Sequence, residues 1–92
     1  MKLEWDEKKR SKSFTERKLD FADIASIDWE TALTVEDTRA DYGEVRYVTM
    51  TKIKGRLCVF AWCWRNGNLR VISLRKTKAK ERSKYEKALL KS

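Results

Sequence analysis

From residue 45 to residue 74, apolar and polar side chains alternate in three runs separated by two short turns. A period of two is the signature of strands, and it predicts strands over 45–53, 56–65 and 68–74. Asn66-Gly67 is the strongest short hairpin signal in the chain, because both residue types accept the positive φ of a tight turn. Lys54-Gly55 is a weaker signal of the same kind. Upstream, Leu3-Glu4-Trp5 reads as a short strand, and Asp6 can cap a helix running to about Arg17. Asp20 can cap a second helix from Phe21 to about Asp28, with Phe21, Ile24 and Ala25 on one face. From Thr77 onward Lys, Glu and Arg dominate, and Ala79, Tyr85, Ala88 and Leu89 supply the apolar stripe of a C-terminal helix. The fold class predicted is α+β: one small domain over residues 1–92, with an antiparallel sheet of three to five strands, two N-terminal helices and a C-terminal helix.

Two-residue turns fix the register, and the register decides which side chains meet. The Asn66-Gly67 turn predicts the pairs Arg65–Asn68, Cys63–Arg70, Ala61–Ile72 and Val59–Leu74. The Lys54-Gly55 turn predicts Met50–Val59, Val48–Ala61 and Arg46–Cys63. One sheet face then reads Val48, Met50, Val59, Ala61, Ile72 and Leu74, a core, with Glu44, Arg46, Cys63 and Arg70 at its end. The opposite face carries Tyr47, Phe60, Trp62 and Val71, and nearer its ends Thr49, Trp64, Ser73 and Arg75. Both faces are apolar enough to need cover from a helix or a partner.

The chain has 92 residues, 41% of them hydrophobic, which allows one small core and excludes a disordered basic tail. No stretch approaches the roughly 18 consecutive apolar residues of a membrane span, so no membrane role is expected. The start Met1-Lys2-Leu3-Glu4-Trp5-Asp6 does not read as a signal segment, so a cytoplasmic location is expected. Cys58 and Cys63 stand five apart in one predicted strand, hence on opposite faces, and cannot bridge each other. There is no histidine, which removes any His-based triad and leaves proton transfer to Lys, Tyr, Glu, Asp or Cys. Two cysteines without histidine make no zinc site, and neither metal nor other cofactor is expected.

The net charge of +8 is unevenly placed. Residues 1–20 carry a small positive excess and residues 21–46 an acidic one, whereas residues 47–92 hold thirteen basic groups against Glu81 and Glu86 alone. A half so basic, with Trp, Tyr and Phe interleaved, suits a polyanion: cations meet phosphates while rings can stack on bases. Arg46 and Arg70, flanking Cys63 in the predicted register, are costly neighbours unless something negative lies between them. Either a phosphate fills that place, clamped by planar guanidinium forks, or Glu44 neutralises the pair.

Several segments carry a family resemblance. Ala32-Leu33-Thr34-Val35-Glu36-Asp37-Thr38-Arg39 and Asp41-Tyr42-Gly43-Glu44-Val45-Arg46-Tyr47 are followed by Arg70-Val71-Ile72-Ser73-Leu74-Arg75-Lys76 and Lys80-Glu81-Arg82-Ser83-Lys84-Tyr85. Trp5-Asp6-Glu7 with Lys9, and Asp20-Phe21-Ala22-Asp23, precede them. In order and spacing these resemble the BrnT family of toxins from bacterial type II toxin–antitoxin modules. The resemblance implies a RelE-like fold, a metal-independent endoribonuclease that blocks translation, and RNA as substrate, on or off the ribosome. It also implies a cognate BrnA-type antitoxin with a ribbon-helix-helix DNA-binding part, operator DNA being reached only through that antitoxin. The chain departs from the family at Ser13 and at Glu16-Arg17-Lys18, where the family reads Asn and then Lys-His-Gly.

Cleavage of this kind lets a ribose 2′-hydroxyl attack the adjacent phosphorus, which needs a base, an acid and cations for the growing charge. Arg46, Arg65, Arg70 and Arg75 are the candidates for holding the phosphate. Glu81 or Lys76 is the candidate base, and Tyr85 a candidate donor or stacking residue. Each has a plainer role open to it: Glu81 can pair with Arg75, and Tyr85 can pack the last helix on the sheet. Trp62 and Trp64 suit sheet packing or antitoxin contact, and Cys63 a small buried filler. An antitoxin segment laid over Trp62 and Arg75 would cover cleft and aromatic face together. The altered residues around Ser13 and Arg17 also open a second function, a toxin-like fold weakened in catalysis that binds nucleic acid or a nucleoprotein complex. A third is a basic surface docked on an acidic protein.

Overall fold

The computed structural model describes residues 2–91. Its order is β1 (Leu3–Trp5), α1 (Glu7–Arg17), a 3-10 segment (Phe21–Ser26), β2 (Leu33–Glu36), β3 (Tyr47–Ile53), β4 (Arg56–Arg65), β5 (Asn68–Lys76) and α2 (Ala79–Lys91). The five strands form one sheet in the order β1-β5-β4-β3-β2. β2 to β5 are antiparallel neighbours, but β1 lies parallel to β5. The sheet is therefore mixed, not antiparallel as the pattern predicts, because the N-terminal strand enters along the free edge of β5. A three-residue strand carries no turn that could have fixed its direction.

The second N-terminal helix is also corrected. Asp20 does cap it, accepting from the Ala22 N–H, but the segment is a single 3-10 stretch that ends at Ser26. Ser26 Oγ bonds back to the Asp23 carbonyl, and Asp28 starts its own turn by accepting the Glu30 N–H. Local polar side chains thus compete with helix continuation. The three-residue repeat still stacks Phe21 over Ile24, and both are buried. Arg10 ties this segment to α1 through two bonds to Asp20, at 2.7 and 3.1 Å.

Both hairpin turns form as expected. Lys54, Gly55, Asn66 and Gly67 all have positive φ, which gives tight turns whose twist matches the strands. The β3–β4 register is the predicted one, with Met50 opposite Val59 and Val48 opposite Ala61. In β4–β5 the prediction holds only near the turn, for Arg65–Asn68 and Cys63–Arg70. Beyond it, Trp62 faces Val71 while Ala61 faces Ser73, so Ile72 is an extra residue, a β-bulge. Phe60 then meets Leu74, and Val59 meets Arg75.

That one-residue slip decides where the core lies. Leu74 joins Phe60, Trp62, Val71, Leu69 and Cys58 on the face covered by Leu19, Phe21 and Ile24. The main core therefore occupies the aromatic face, and the Val48–Met50–Ala61 face expected to be the core is only half-buried. Inside the core the Trp62 indole N–H donates to Thr49 Oγ1 at 2.8 Å, and Thr49 bonds Thr34 at 2.8 Å, so these polar groups are satisfied, whereas the buried Thr51 Oγ1 has no hydrogen-bond partner. The same slip carries Arg75 to the opposite face from Trp62. The two residues therefore do not share the single face expected, and Trp62 is buried. Among the described residues no helix is long and apolar enough to cross a membrane.

Candidate functional site

Three of the arginines meet where β3 begins, β4 ends and β5 begins. Arg46 immediately precedes β3, Arg65 closes β4, and Arg70 stands opposite Cys63 across the hairpin. Together with Glu44 and Cys63 they line a cleft of about 200 Å3, whose rim holds Asp6 and Lys9. Glu44 Oε1 lies 3.8 Å from Arg46 Nη2 and 3.9 Å from Arg65 Nη2, near enough to attract but too far to bond. Arg70 Nη1 donates to Glu4 Oε1 at 3.2 Å, and Asn68 Nδ2 to Glu4 Oε2 at 3.3 Å. Glu4 stands beside Arg70 in the parallel ladder, so the edge strand supplies this counter-charge.

Arg46 is the least satisfied of the three. Its guanidinium lies over the Tyr42 ring, 4.1 Å from the centroid, and its buried Nε has no hydrogen-bond partner. A buried donor without an acceptor costs about 1–3 kcal/mol, which an anion entering the cleft would recover. Two carboxylates thus stand against three guanidinium groups, with the Asp6 side chain engaged by the N–H groups of Lys8 and Lys9. Burial pushes the Cys63 thiol up, and a hydrogen bond to Glu44 adds to it, so the sulfur stays protonated.

The other candidates lie at the far end of β5. Arg75 is five residues beyond Arg70, about 15 Å at the usual strand rise. Its Nη1 and Nη2 donate to Glu81 Oε1 and Oε2, both at 2.8 Å. Glu81 also accepts the Lys78 N–H at 2.8 Å, the reach-back bond of a helix N-terminus. The Arg75 guanidinium chiefly holds the Glu81 carboxyl down, to about 2, which makes it a poor proton acceptor near neutral pH. Tyr85 is buried, and its hydroxyl donates to the Thr31 carbonyl at 2.8 Å, anchoring α2 beside the start of β2. Lys76 is exposed and, among the described residues, in no ion pair. The structure thus places the candidates in two groups, at opposite ends of β5.

Sequence reasoning passed over Lys9 and Asp6, whose place at the cleft rim follows from β1 lying beside β5. It also passed over Arg39, held by Asp37 through two bonds of 2.9 Å, whose charge is felt at Arg75. No spacing in the sequence signals either approach.

The altered end of α1 has a structural account. Ser13 is buried and donates to the Leu19 carbonyl at 3.0 Å. Arg17 Nη1 donates to the Leu74 carbonyl at 3.0 Å, tying the helix to β5 just past the bulge. Lys18 sits in the left-handed region, φ 59 and ψ 31, at the helix C-terminus, where glycine is the residue of least strain. Among the described residues no three His, Cys, Asp or Glu side chains come close enough to hold a metal ion.

The family model described as ribonuclease toxin, BrnT, of type II toxin–antitoxin system matches residues 5–81. The chain belongs to the BrnT family. The matched stretch runs from the end of β1 to Glu81, so it contains both arginine groups and leaves out Tyr85. BrnT membership implies a ribonuclease toxin with a cognate antitoxin. No curated protein matches the chain.

Proposed function

We propose that this BrnT chain cleaves RNA without a metal ion, and that the chemistry takes place in the Arg46–Arg65–Arg70 cleft. The observation that carries the reading is the buried, unpartnered Nε of Arg46 beside two further guanidinium groups and the Glu44 carboxylate. A bridging RNA phosphate supplies the acceptor that Arg46 lacks, and the three forks stabilise its charge as the fifth oxygen bonds. Glu44 takes the 2′-hydroxyl proton as that oxygen attacks phosphorus. Lys9, the amine at the rim, returns a proton to the departing 5′-oxygen. The products are a 2′,3′-cyclic phosphate and a 5′-hydroxyl. In this reading Arg75 and Lys76 meet the strand further along, while Glu81 and Tyr85 position α2.

The biological setting follows the family: cleavage blocks translation in the cytoplasm, on or off the ribosome. A BrnA-type antitoxin with a ribbon-helix-helix part covers the cleft and alone contacts operator DNA. The reading of a RelE-like fold draws on the antiparallel order of β2 to β5. Purified protein incubated with RNA in excess chelator tests the core of this. We expect cleavage, lowered about 10²- to 10³-fold by Arg46→Gln or Arg65→Gln. RNA left intact by the wild-type chain overturns it.

One observation favours the second reading, a binding module. An arginine, Arg17, stands at the position of the family's histidine, and its guanidinium is engaged with the Leu74 carbonyl. Tight, salt-sensitive binding with the RNA intact would select that reading.

A further inference from the structure

A second cationic groove lies outside the cleft just described, between the β3–β4 turn and α2. It encloses about 420 Å3 and has Lys52 and Arg56 on its hairpin wall, with Lys76 and Arg82 opposite. Among the described residues none of these cations is in an ion pair, and Glu86 is the one carboxylate in the lining. The contrast with the cleft is direct, because there every arginine has a carboxylate within 4 Å. The surplus charge reaches into the fold: Arg56 and Lys76 partly offset the effect of burial on the Cys58 thiol. At the turn, Gly55 leaves open space where a side chain would stand.

Lys76 also lines a neighbouring hollow with Arg17, Lys18 and the Glu81-paired Arg75, at the end of α1, where Glu16 is the one carboxylate in the lining. The unpaired charge therefore forms a strip from the hairpin across the end of β5 to α1. A compact anion needs one pocket, whereas a strip of spaced cations suits a chain of phosphates.

We propose that this strip is an RNA-backbone track, a second contact that holds single-stranded RNA by its phosphates without reading bases. The inference rests on the preceding reading only for the identity of the polymer. It assigns Lys52, Arg56 and Arg82, which that reading does not use.

The test is fluorescence anisotropy with a labelled 2′-O-methyl oligoribonucleotide of about 12 nucleotides, which binds but cannot be cleaved. The triple variant Lys52→Gln/Arg56→Gln/Arg82→Gln changes three exposed side chains, and a thermal melt checks that it folds. We expect affinity at least about tenfold weaker near physiological salt, and a salt slope smaller by about 2, near 0.7 per lost contact. A charge-matched variant, Lys8→Gln/Lys84→Gln/Lys87→Gln, should keep most of both. An equal fall in the two variants would reduce the effect to net charge and overturn the proposal. Unchanged RNA binding with lost capture of the cognate antitoxin would make the groove a protein surface and also overturn it. The probe is uncleavable, so a wild-type chain that never cuts RNA removes the catalytic reading and leaves this result standing.

Discussion

Arg75 and Glu81 face each other as two matched forks, Nη1 to Oε1 and Nη2 to Oε2, both at 2.8 Å. The bond joins the end of β5 to the first turn of α2, so it holds the C-terminal helix in place. Its acid dependence follows. The carboxyl is lowered from 4.5 to about 2, so its contribution is complete above about pH 4.5 and fades as pH falls through 2. At this half-exposed position it amounts to about 1 kcal/mol. Urea unfolding of wild type and Glu81→Gln should differ by that amount at pH 7, the gap narrowing steadily between pH 5 and pH 2. A gap independent of pH would mean the pair does not hold the helix.

Tyr85 offers a clean separation of anchoring from chemistry. Its hydroxyl already donates to the Thr31 carbonyl inside a buried contact. Tyr85→Phe should cost about 1 kcal/mol, the net value of one such bond. Cleavage by the folded variant should stay within about twofold of wild type, measured well below its melting temperature. A hundredfold loss would return the hydroxyl to the reaction.

Lys18 stores strain at the end of α1. With φ at 59, a side chain costs roughly 1 kcal/mol that glycine avoids. Lys18→Gly should therefore raise the denaturation midpoint, by about 0.5–1 kcal/mol in stability. A destabilised variant would show that the lysine side chain makes a compensating contact.

Much of the fold was legible in the residues. Asn66-Gly67, Lys54-Gly55 and the Asp6 cap form as their chemistry requires, and they bring Arg65, Arg70 and Cys63 together. The bulge was not legible. Ile72 is an ordinary strand residue with no glycine to mark it, and only packing of Leu74 against Phe60 reveals the extra position. Everything downstream of it was misplaced for that reason, including the core face and the side on which Arg75 stands. The edge strands were hard to read for a different cause. Three or four residues give too little period to measure, so neither the parallel pairing that brings Glu4 to Arg70 nor β2 itself stood out. Resemblance to a family placed the arginines in one list; the sheet separates them into two groups.

The bulge is itself testable. Ile72→Val should be tolerated within about 1.5 kcal/mol. Deleting Ile72 removes the extra position and leaves Leu74 opposite Phe60 and Arg75 opposite Val59 in an unbroken ladder, so the variant should still unfold cooperatively by circular dichroism. A deletion variant that loses cooperative unfolding would contradict the register.

The central claim is that the guanidinium groups of the cleft, with Glu44 as base, cut RNA without a metal ion. End-group analysis of RNA treated with wild type and Glu44→Gln in excess chelator tests it most directly. The account predicts 2′,3′-cyclic phosphate and 5′-hydroxyl ends from wild type, with the rate reduced about 10²- to 10⁴-fold in the variant. Undiminished cleavage by Glu44→Gln, or 5′-phosphate ends that vanish when the chelator is added, would contradict it.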